Sequence, residues 1–429
     1  MKYLPIGKEL FIKNRQKLVR ELMPGSIAVF NSNDILPTNA DGTMPFRQNN
    51  DLFYLSGIDQ EETILLIFPD SKVNSFKEVL FIRETNEHIV TWEGHKLTKE
   101  EAAEVSGISQ ILWTSQFEST FKTLVAEAEN IYLNSNEHSR AEKTIDTRDD
   151  RFVKWCKEKY PLHNLNRLAP IMQRLRMIKT EKEIELTKLA INITEKAFRR
   201  VLNFTKPGVW EYEIEAEIMY EFIRNRSRGP AYQSIIASGK NSCVLHYIDN
   251  NRQCKDGDII LLDFGAEYAN YAADLTRVIP VNGRFTARQM EIYKSVLHVM
   301  KEAKKQLVPG NNFQNYNQFV GNLMEEELVK LKLLKREDIN NQHPDRPLYK
   351  KYFMHGTSHF LGLDVHDVGD RHADFQVGML FTCEPGIYVK EEGIGIRLEN
   401  DILISENGPV DLMANIPVDP AEIEDLMKK

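Results

Sequence analysis

The chain has 429 residues, and this length favours two domains because it exceeds what one ordinary hydrophobic core holds. Its composition, 42% hydrophobic and 28% charged, is typical of a globular protein, while the net charge of −8 argues against nucleic acid as the main partner. No run of about 18 apolar residues occurs, so we expect no membrane-spanning helix and no membrane partner.

The first part of the chain alternates strand-like and helix-like stretches. Short apolar runs bounded by Asn, Pro or Ser predict buried strands at 26–32, 63–69 and 78–84. The stretches 100–107 and 121–130 favour helices. This alternation predicts an α/β domain over residues 1–172, and "RQNNDLFYL" (47–55) is interpreted as part of its internal packing.

A second domain, 173–429, is expected after the linker that prolines and polar residues predict at 160–180. Thr180 and Glu183 form a T-x-x-E capping box, which marks the start of a helix. The helix should pack on a sheet through an apolar stripe, namely Leu186, Ala190, Ile193, Ala197 and Val201. Pro-Gly recurs in 204–222 and 306–324, and this recurrence suggests an internal duplication.

The four cysteines are scattered along the chain and contain no Cys-x-x-Cys pair. This usage is typical of reduced thiols and argues against a disulfide framework or a zinc ribbon. The first residues lack the apolar segment of a secretory signal. We therefore expect a cytoplasmic protein.

Residues 258–281 predict a hairpin of two strands, Ile259–Gly265 and Tyr271–Val281. A turn centred between Tyr268 and Ala269 would place Asp263 opposite Asp274, with their Cβ atoms about 5 Å apart on one face. In another register the two acids would point to solvent. Facing carboxylates in a buried place require a shared proton, a basic partner or a cation.

Further acids lie in similar apolar settings. The stretch 379–386 predicts an apolar strand that ends in Glu384, and the strand 393–404 alternates so that Arg397, Glu399 and Asp401 share a face. The stretch "HGTSHFLGLDVHD" (355–367) adds three of the chain's eleven histidines. Oxygen-rich sites with one nitrogen suit Mn²⁺ or a similar ion, and four carboxylates carry enough charge for two ions.

These stretches, with "LLDFGAEYANYAAD", "FTCEPGIYV", "GIGIRLEND" and the N-terminal "PFRQNNDLFYLSGID" (45–59), resemble the pita-bread metallopeptidases, and among them the Xaa-Pro aminopeptidase (aminopeptidase P) family. The resemblance covers essentially the whole chain. It implies an α/β N-terminal domain followed by an α+β pita-bread catalytic domain with pseudo-twofold duplication, in keeping with the repeated Pro-Gly.

The resemblance implies a set of metal ligands, in which Asp274 and Glu399 bridge two ions: Asp263, Asp274, His359, Glu384 and Glu399. Other residues are implied to bind substrate or to assist catalysis: His246, His355, His366, Tyr388 and Arg397. For His246 and His355 the alternative is a core histidine satisfied by backbone groups, and for Arg397 it is an ordinary surface arginine. "HGTSH" lacks the Glu of an H-E-x-x-H zinc motif.

The implied activity is hydrolysis of the N-terminal Xaa-Pro bond of peptides by a hydroxide that bridges two divalent ions, Mn²⁺ first and Co²⁺ or Zn²⁺ as alternatives. Glu384 would move the proton, while His366 and His355 assist. The partners implied are peptides with proline at position 2, and the particle is a homodimer or homotetramer. Prolidase, a dipeptidase of the same fold, is the nearest alternative. A creatinase-type enzyme or a non-catalytic pita-bread binding protein would lack the ligands.

Overall fold

The computed structural model describes residues 2–142 and 144–428. Two compact units divide the chain, Tyr3–Leu175 and Arg176–Lys429. Within the described residues, every helix is either too short or too polar to cross a lipid bilayer.

The first unit contains one six-stranded mixed sheet with the strand order β4-β3-β2-β1-β5-β6. Strands β3 and β4, β1 and β5, and β5 and β6 pair in parallel, and the others pair antiparallel. Its elements are α1 (Glu9–Glu21), β1 (Ser26–Asn31), α2 (Asn50–Ser56), β2 (Ile64–Ile67), β3 (Glu78–Ile82), α3 (Glu87–Glu93), α4 (Lys99–Ser106), β4 (Gln110–Trp113), α5 (Phe117–Val125), β5 (Asn130–Leu133), α6 (Arg148–Lys159), β6 (Asn164–Arg167) and α7 (Ala169–Met177), which runs into the second unit.

The three strands predicted in this unit are confirmed as β1, β2 and β3, and the predicted helix 100–107 as α4. The helix predicted at 121–130 is wrong at its end. Helix α5 stops at Val125, because Asn130 already pairs with Ser26 as the first residue of β5. The linker prediction at 160–180 is also wrong in part, since this stretch contains β6 and the whole of α7.

The segment 47–55 is structural within its own unit, as predicted. The side chain of Gln48 donates to the carbonyl groups of Ile58 and Gln60, at 3.0 and 2.8 Å. Asn49 caps α2, its side chain accepting from the backbone N–H groups of Asp51 and Leu52.

The second unit repeats one arrangement of elements. In each half, two helices joined at a Pro-Gly turn precede a three-stranded antiparallel sheet whose second strand is central, with the orders β11-β8-β7 and β12-β15-β16. The turn glycines, Gly208 and Gly310, both have positive φ, 94° and 82°. The elements are α8 (Glu181–Phe204), α9 (Glu211–Arg224), β7 (Ile235–Ser238), β8 (Ile259–Asp263), β9 (Glu267–Tyr268), β10 (Tyr271–Ala272), β11 (Thr276–Pro280), α10 (Ala287–Lys304), α11 (Phe313–Lys330), α12 (Arg336–Asn340), β12 (Leu380–Cys383), β13 (Gly386–Val389), β14 (Ile394–Arg397), β15 (Asn400–Ser405), β16 (Gly408–Asp411) and α13 (Pro420–Leu426).

Helix α8 begins as predicted, with the capping box of Thr180 and Glu183. Every residue of its predicted apolar stripe is buried, and the helix packs against α9 and the small hairpin β9–β10. The four cysteines are free and buried, which confirms the expectation of unpaired thiols.

Candidate metal centre

The hairpin that carries the two aspartates forms in a register different from the predicted one. Strand β8 ends at Asp263, and the residue opposite it is Thr276, where the prediction had placed Asp274. Ala269 and Asn270 form a two-residue turn in which both residues have positive φ, 52° and 67°, so the turn centre lies one residue later than predicted. The second predicted strand, 271–281, is divided into β10 and β11.

The two aspartates nevertheless come together. Moving the turn centre by one residue shifts the cross-strand partner of Asp263 by two residues, from Asp274 to Thr276. Because side chains alternate with period two along a strand, Asp274 stays on the same face as Asp263. The hydroxyl of Tyr232 lies 2.7 Å from Asp263 Oδ1 and 2.5 Å from Asp274 Oδ1. Burial and the nearby carboxylates raise the pKa of Tyr232 well above its ordinary value, so the phenol stays neutral and donates its hydrogen to one of them. Burial also raises the pKa of Asp263.

Glu399 lies at a break in the predicted strand 393–404. Strand β14 ends at Arg397 and β15 begins at Asn400, so the strand is not continuous as predicted. The backbone N–H of Glu399 donates to the carbonyl of Thr276 at 3.1 Å, and the Thr276 hydroxyl donates to Glu399 Oε2 at 2.6 Å. Burial, followed by the charges of Asp274 and Glu384, raises the pKa of Glu399 well above its ordinary value.

Arg397 is buried, which excludes the interpretation as a surface arginine. Its guanidinium forms an ion pair with Asp263 and donates to the hydroxyl of Tyr388 at 2.7 Å and of Thr276 at 3.2 Å. It therefore holds one acid of the cluster in place while it contacts the tyrosine predicted to lie at the site.

His359 faces the acids with one nitrogen and the backbone with the other. Its Nε2 lies 3.4 Å from Asp274 Oδ2 and 3.6 Å from Glu384 Oε1. Its Nδ1 lies 2.9 Å from the carbonyl oxygen of Phe360, a contact that requires a proton on Nδ1, so the neutral imidazole presents Nε2 as the acceptor. Burial lowers the pKa of this ring, but the hydrogen bond with Asp274 and the charge of Glu384 outweigh that effect and raise it. Glu384 directly follows β12, so the strand ends one residue before the predicted end. Burial raises the pKa of the Glu384 carboxyl to about 7, against the opposing effect of His359.

The other predicted histidines surround this group. Burial lowers the pKa of His355 to about 3, so its imidazole is neutral, with Nε2 2.8 Å from the hydroxyl of Tyr388 and Nδ1 2.7 Å from the carbonyl of Gly356. The ring of His366 packs edge-on against His359 with centroids 4.4 Å apart. His246 is exposed.

The residues present fit divalent metal ions. Asp274, His359 and Glu399 each offer one ligand atom, and these atoms lie within 4.8 Å of one another. Asp263 and Glu384 adjoin them through Tyr232 and His359. Arg397 offsets one negative charge, so three further carboxylates share the site with a single imidazole. Hard oxygen donors with one nitrogen are the ligands that ions such as Mn²⁺ prefer.

Two contributors escaped prediction. Tyr232 lies 31 residues before Asp263 in a loop, and no spacing or periodicity in the sequence connects it with the acids. Thr276 is an ordinary strand residue in the sequence, yet its hydroxyl holds Glu399. The register of the hairpin, had it been known, would have pointed to Thr276 as the cross-strand neighbour of Asp263.

Comparison with known proteins agrees with this geometry. Residues 185–406 match metallopeptidase family M24, and residues 11–132 match the aminopeptidase P N-terminal domain. The chain is 35% identical to an Xaa-Pro aminopeptidase of Escherichia coli over 98% of both chains, and 31% identical to human Xaa-Pro aminopeptidase 3 over 89% of this chain and 76% of that protein.

Solved structures show the same likeness in three dimensions. E. coli aminopeptidase P with the inhibitor Pro-Leu has a TM-score of 0.87 and 34% identity over 99% of both chains. Proline aminopeptidase P II of Yersinia pestis has a TM-score of 0.88 and 32% identity, over 98% of this chain and 99% of that one. The chain therefore belongs to metallopeptidase family M24 and, within it, to the aminopeptidase P proteins, whose N-terminal domain and pita-bread catalytic domain it shares.

Proposed function

We propose that this chain is an Xaa-Pro aminopeptidase, which hydrolyses the first peptide bond of peptides with proline at position 2 and releases the first amino acid. The observation that carries the proposal is the clustering of four acids around one imidazole: one ends β8, and the others lie just before β11, just after β12 and just after β14. The relatives support it, since the E. coli protein is an Xaa-Pro aminopeptidase and a solved structure of aminopeptidase P holds the inhibitor Pro-Leu.

The ligand set proposed for two divalent ions is Asp263, Asp274, His359, Glu384 and Glu399. We propose Mn²⁺ as the ion, with Co²⁺ or Zn²⁺ as alternatives, because oxygen donors predominate in the set. The bound ions would supply a water whose pKa is lowered from 15.7 toward about 7, which makes a nucleophile at neutral pH. His359 suits its place because the hydrogen bond from Nδ1 to Phe360 directs Nε2 at the acids.

Glu384 is placed to move the proton. Its Oε1 lies 3.6 Å from His359 Nε2 and its Oε2 lies 3.8 Å from His355 Nδ1. The carboxylate therefore lies between His359, a proposed metal ligand, and His355, a proposed substrate contact. We propose that Glu384 takes the proton from the attacking water and returns it to the proline nitrogen, which leaves poorly as an anion. His366 would donate to the oxygen that gains charge in the transition state.

The substrate would meet the outer residues of the site. We propose that His246 and His355 contact the proline ring; His355 is neutral, so it brings no charge that would need hydration. Tyr388 links His355 to Arg397 through its hydroxyl, which accepts from Arg397 and donates to His355. We propose that Tyr388 and Arg397 act on the substrate through this chain of hydrogen bonds.

Residues 1–172 and 173–429 would act as separate domains, with the chemistry confined to the second. We also propose a homodimer or homotetramer, for which α3 is a candidate contact because it buries none of its residues and leaves Trp92 77% exposed. The scattered free thiols support a cytoplasmic location.

The experiment is hydrolysis of the tripeptide Gly-Pro-Gly and the dipeptide Gly-Pro, each with Mn²⁺ and with a chelator. An aminopeptidase P cleaves the tripeptide and loses this activity with the chelator. Cleavage of the dipeptide alone would establish prolidase, the second candidate. No cleavage of either peptide by the Mn²⁺-loaded protein would favour a non-catalytic binding protein.

A further inference from the structure

A cluster of buried charges lies beside the histidine loop of the second unit. Lys179 Nζ lies 2.9 Å from Asp367 Oδ2, and a guanidinium nitrogen of Arg176 lies 2.5 Å from Asp367 Oδ1. The side chains of Lys179 and Asp367 are each 1% exposed. A Cβ atom added to Gly362 would lie 2.1 Å from Asp367 Oδ2, so the loop backbone closes tightly around this carboxylate.

Asp367 is joined to His359 through a single carbonyl group. The backbone N–H of Asp367 donates to the carbonyl oxygen of Phe360 at 2.9 Å, and Nδ1 of His359 lies 2.9 Å from the same oxygen. This bond closes the loop 360–367, and the residue before Asp367 is His366, whose ring packs on His359. The carbonyl oxygen of Phe360, which accepts from Nδ1 of His359, is thus also bonded to Asp367. The side chain of Asp367 is in turn paired with Arg176 and Lys179.

We propose that Arg176 and Lys179 are positioning residues, which clamp Asp367 so that Phe360 and His366 hold Nε2 of His359 toward the acids. The inference rests on the proposed function, because it assigns His359 to the metal ions. A buried salt bridge is weak grounds for a stabilising role, since desolvation offsets much of the attraction between the charges. The Asp367 salt bridges are therefore better explained by a positioning role, because Asp367 and His359 share the carbonyl oxygen of Phe360.

The test measures Mn²⁺ affinity and the tautomer of His359 in the ion-free protein. The tautomer is read from ¹⁵N chemical shifts of labelled histidine at a pH high enough for the ring to be neutral, because the neighbouring acids raise its pKa. Lys179→Met and Asp367→Asn should each weaken Mn²⁺ binding by about 10- to 100-fold, the usual effect of losing a group behind a metal ligand. In both variants the ¹⁵N signals should show a mixture of His359 tautomers. Lys179→Arg, which keeps the charge, should recover part of the affinity.

Two controls separate positioning from general loss of stability. Asp364→Asn removes an acid that also pairs with Arg176, at 2.7 Å, but its side chain is 48% exposed and its amide group can still accept from the arginine. Ile423→Ala destabilises α13, where Ile423 is fully buried. Both controls should keep the wild-type Mn²⁺ affinity and a single tautomer.

Wild-type affinity and a single His359 tautomer in Lys179→Met would overturn the inference, as would an equal loss of affinity in Ile423→Ala. Failure of the proposed function has a different appearance, because the wild-type protein in the same titration would then bind no Mn²⁺ or leave Gly-Pro-Gly intact.

Discussion

The phenol oxygen of Tyr232 lies 2.5 Å from Oδ1 of Asp274, although 42 residues separate the two in the chain. The same oxygen reaches Asp263 at 2.7 Å. One neutral hydroxyl therefore orients two carboxylates that would otherwise repel each other, and it can donate to only one of them at a time. The remaining negative charge is what a cation would neutralise.

Replacement of Tyr232 by Phe should weaken metal binding without unfolding the protein. The ring is kept, but the carboxylates lose the hydroxyl that fixes their orientation, so we expect about 10- to 100-fold lower Mn²⁺ affinity. Calorimetric titration of the ion-free protein measures this. Tyr212→Phe, which alters an exposed tyrosine on α9, is the matched control and should leave the affinity unchanged. Equal affinities in Tyr232→Phe and wild type would show that the hydroxyl has no part in the site.

Arg397→Lys should lower kcat/KM by about 10- to 100-fold, because a lysine cannot reach Asp263, Tyr388 and Thr276 together as the planar guanidinium does. Initial rates on Gly-Pro-Gly provide the measurement. Arg288→Lys is the control, since Arg288 pairs with Glu392 at a partly exposed position. A full rate in Arg397→Lys would mean that one positive charge is all the site needs.

Asp149→Asn should change how stability depends on pH. Asp149 is buried on α6, where its carboxylate accepts from the side chain of Asn31 at 2.9 Å, and burial raises its pKa to about 7. Between about pH 4 and 7 the folded state therefore keeps a proton that the unfolded chain, with a pKa near 3.9, has lost. The contribution of the protonated Asp149 to the free energy of unfolding is full below about pH 4 and is lost as the pH rises through about 7.

Urea unfolding at several pH values tests this prediction. The free energy of unfolding of the wild type relative to Asp149→Asn should fall by up to about 4 kcal/mol between pH 4 and 8. Glu158→Gln, at an exposed position of the same helix, should give a curve parallel to that of the wild type. Parallel curves for Asp149→Asn as well would mean that Asp149 is ionised throughout.

Local patterns predicted the elements that bring the acids to the site. The capping box of Thr180, the stripe on α8 and the apolar strand before Glu384 depend on neighbours within a few residues, and all three are present. The hairpin was predicted with its acids on one face, but its register depended on which two residues adopt positive φ. Ala269 is not a residue that signals such a turn.

Contacts between distant segments could not be predicted in this way. The break in the strand at Glu399 arises because this residue bridges to Thr276 of another sheet, which alternation within 393–404 does not reveal. Arg397 was predicted to share a face with Glu399 and Asp401, and only the structure shows that it pairs with Asp263. Residue patterns alone predicted only that several acids lie near histidines. The assignment of particular residues as metal ligands came from the resemblance of the motifs to a known family.

The central claim is that these acids lie together because divalent ions bind among them, and a Mn²⁺ titration of ion-free wild type and Asp263→Asn tests it most directly. We predict two ions per wild-type chain, a thermal unfolding temperature that rises with Mn²⁺, and a folded Asp263→Asn variant that loses binding and activity. A wild-type chain that binds no Mn²⁺, or an Asp263→Asn variant with unchanged binding and turnover, would contradict the account.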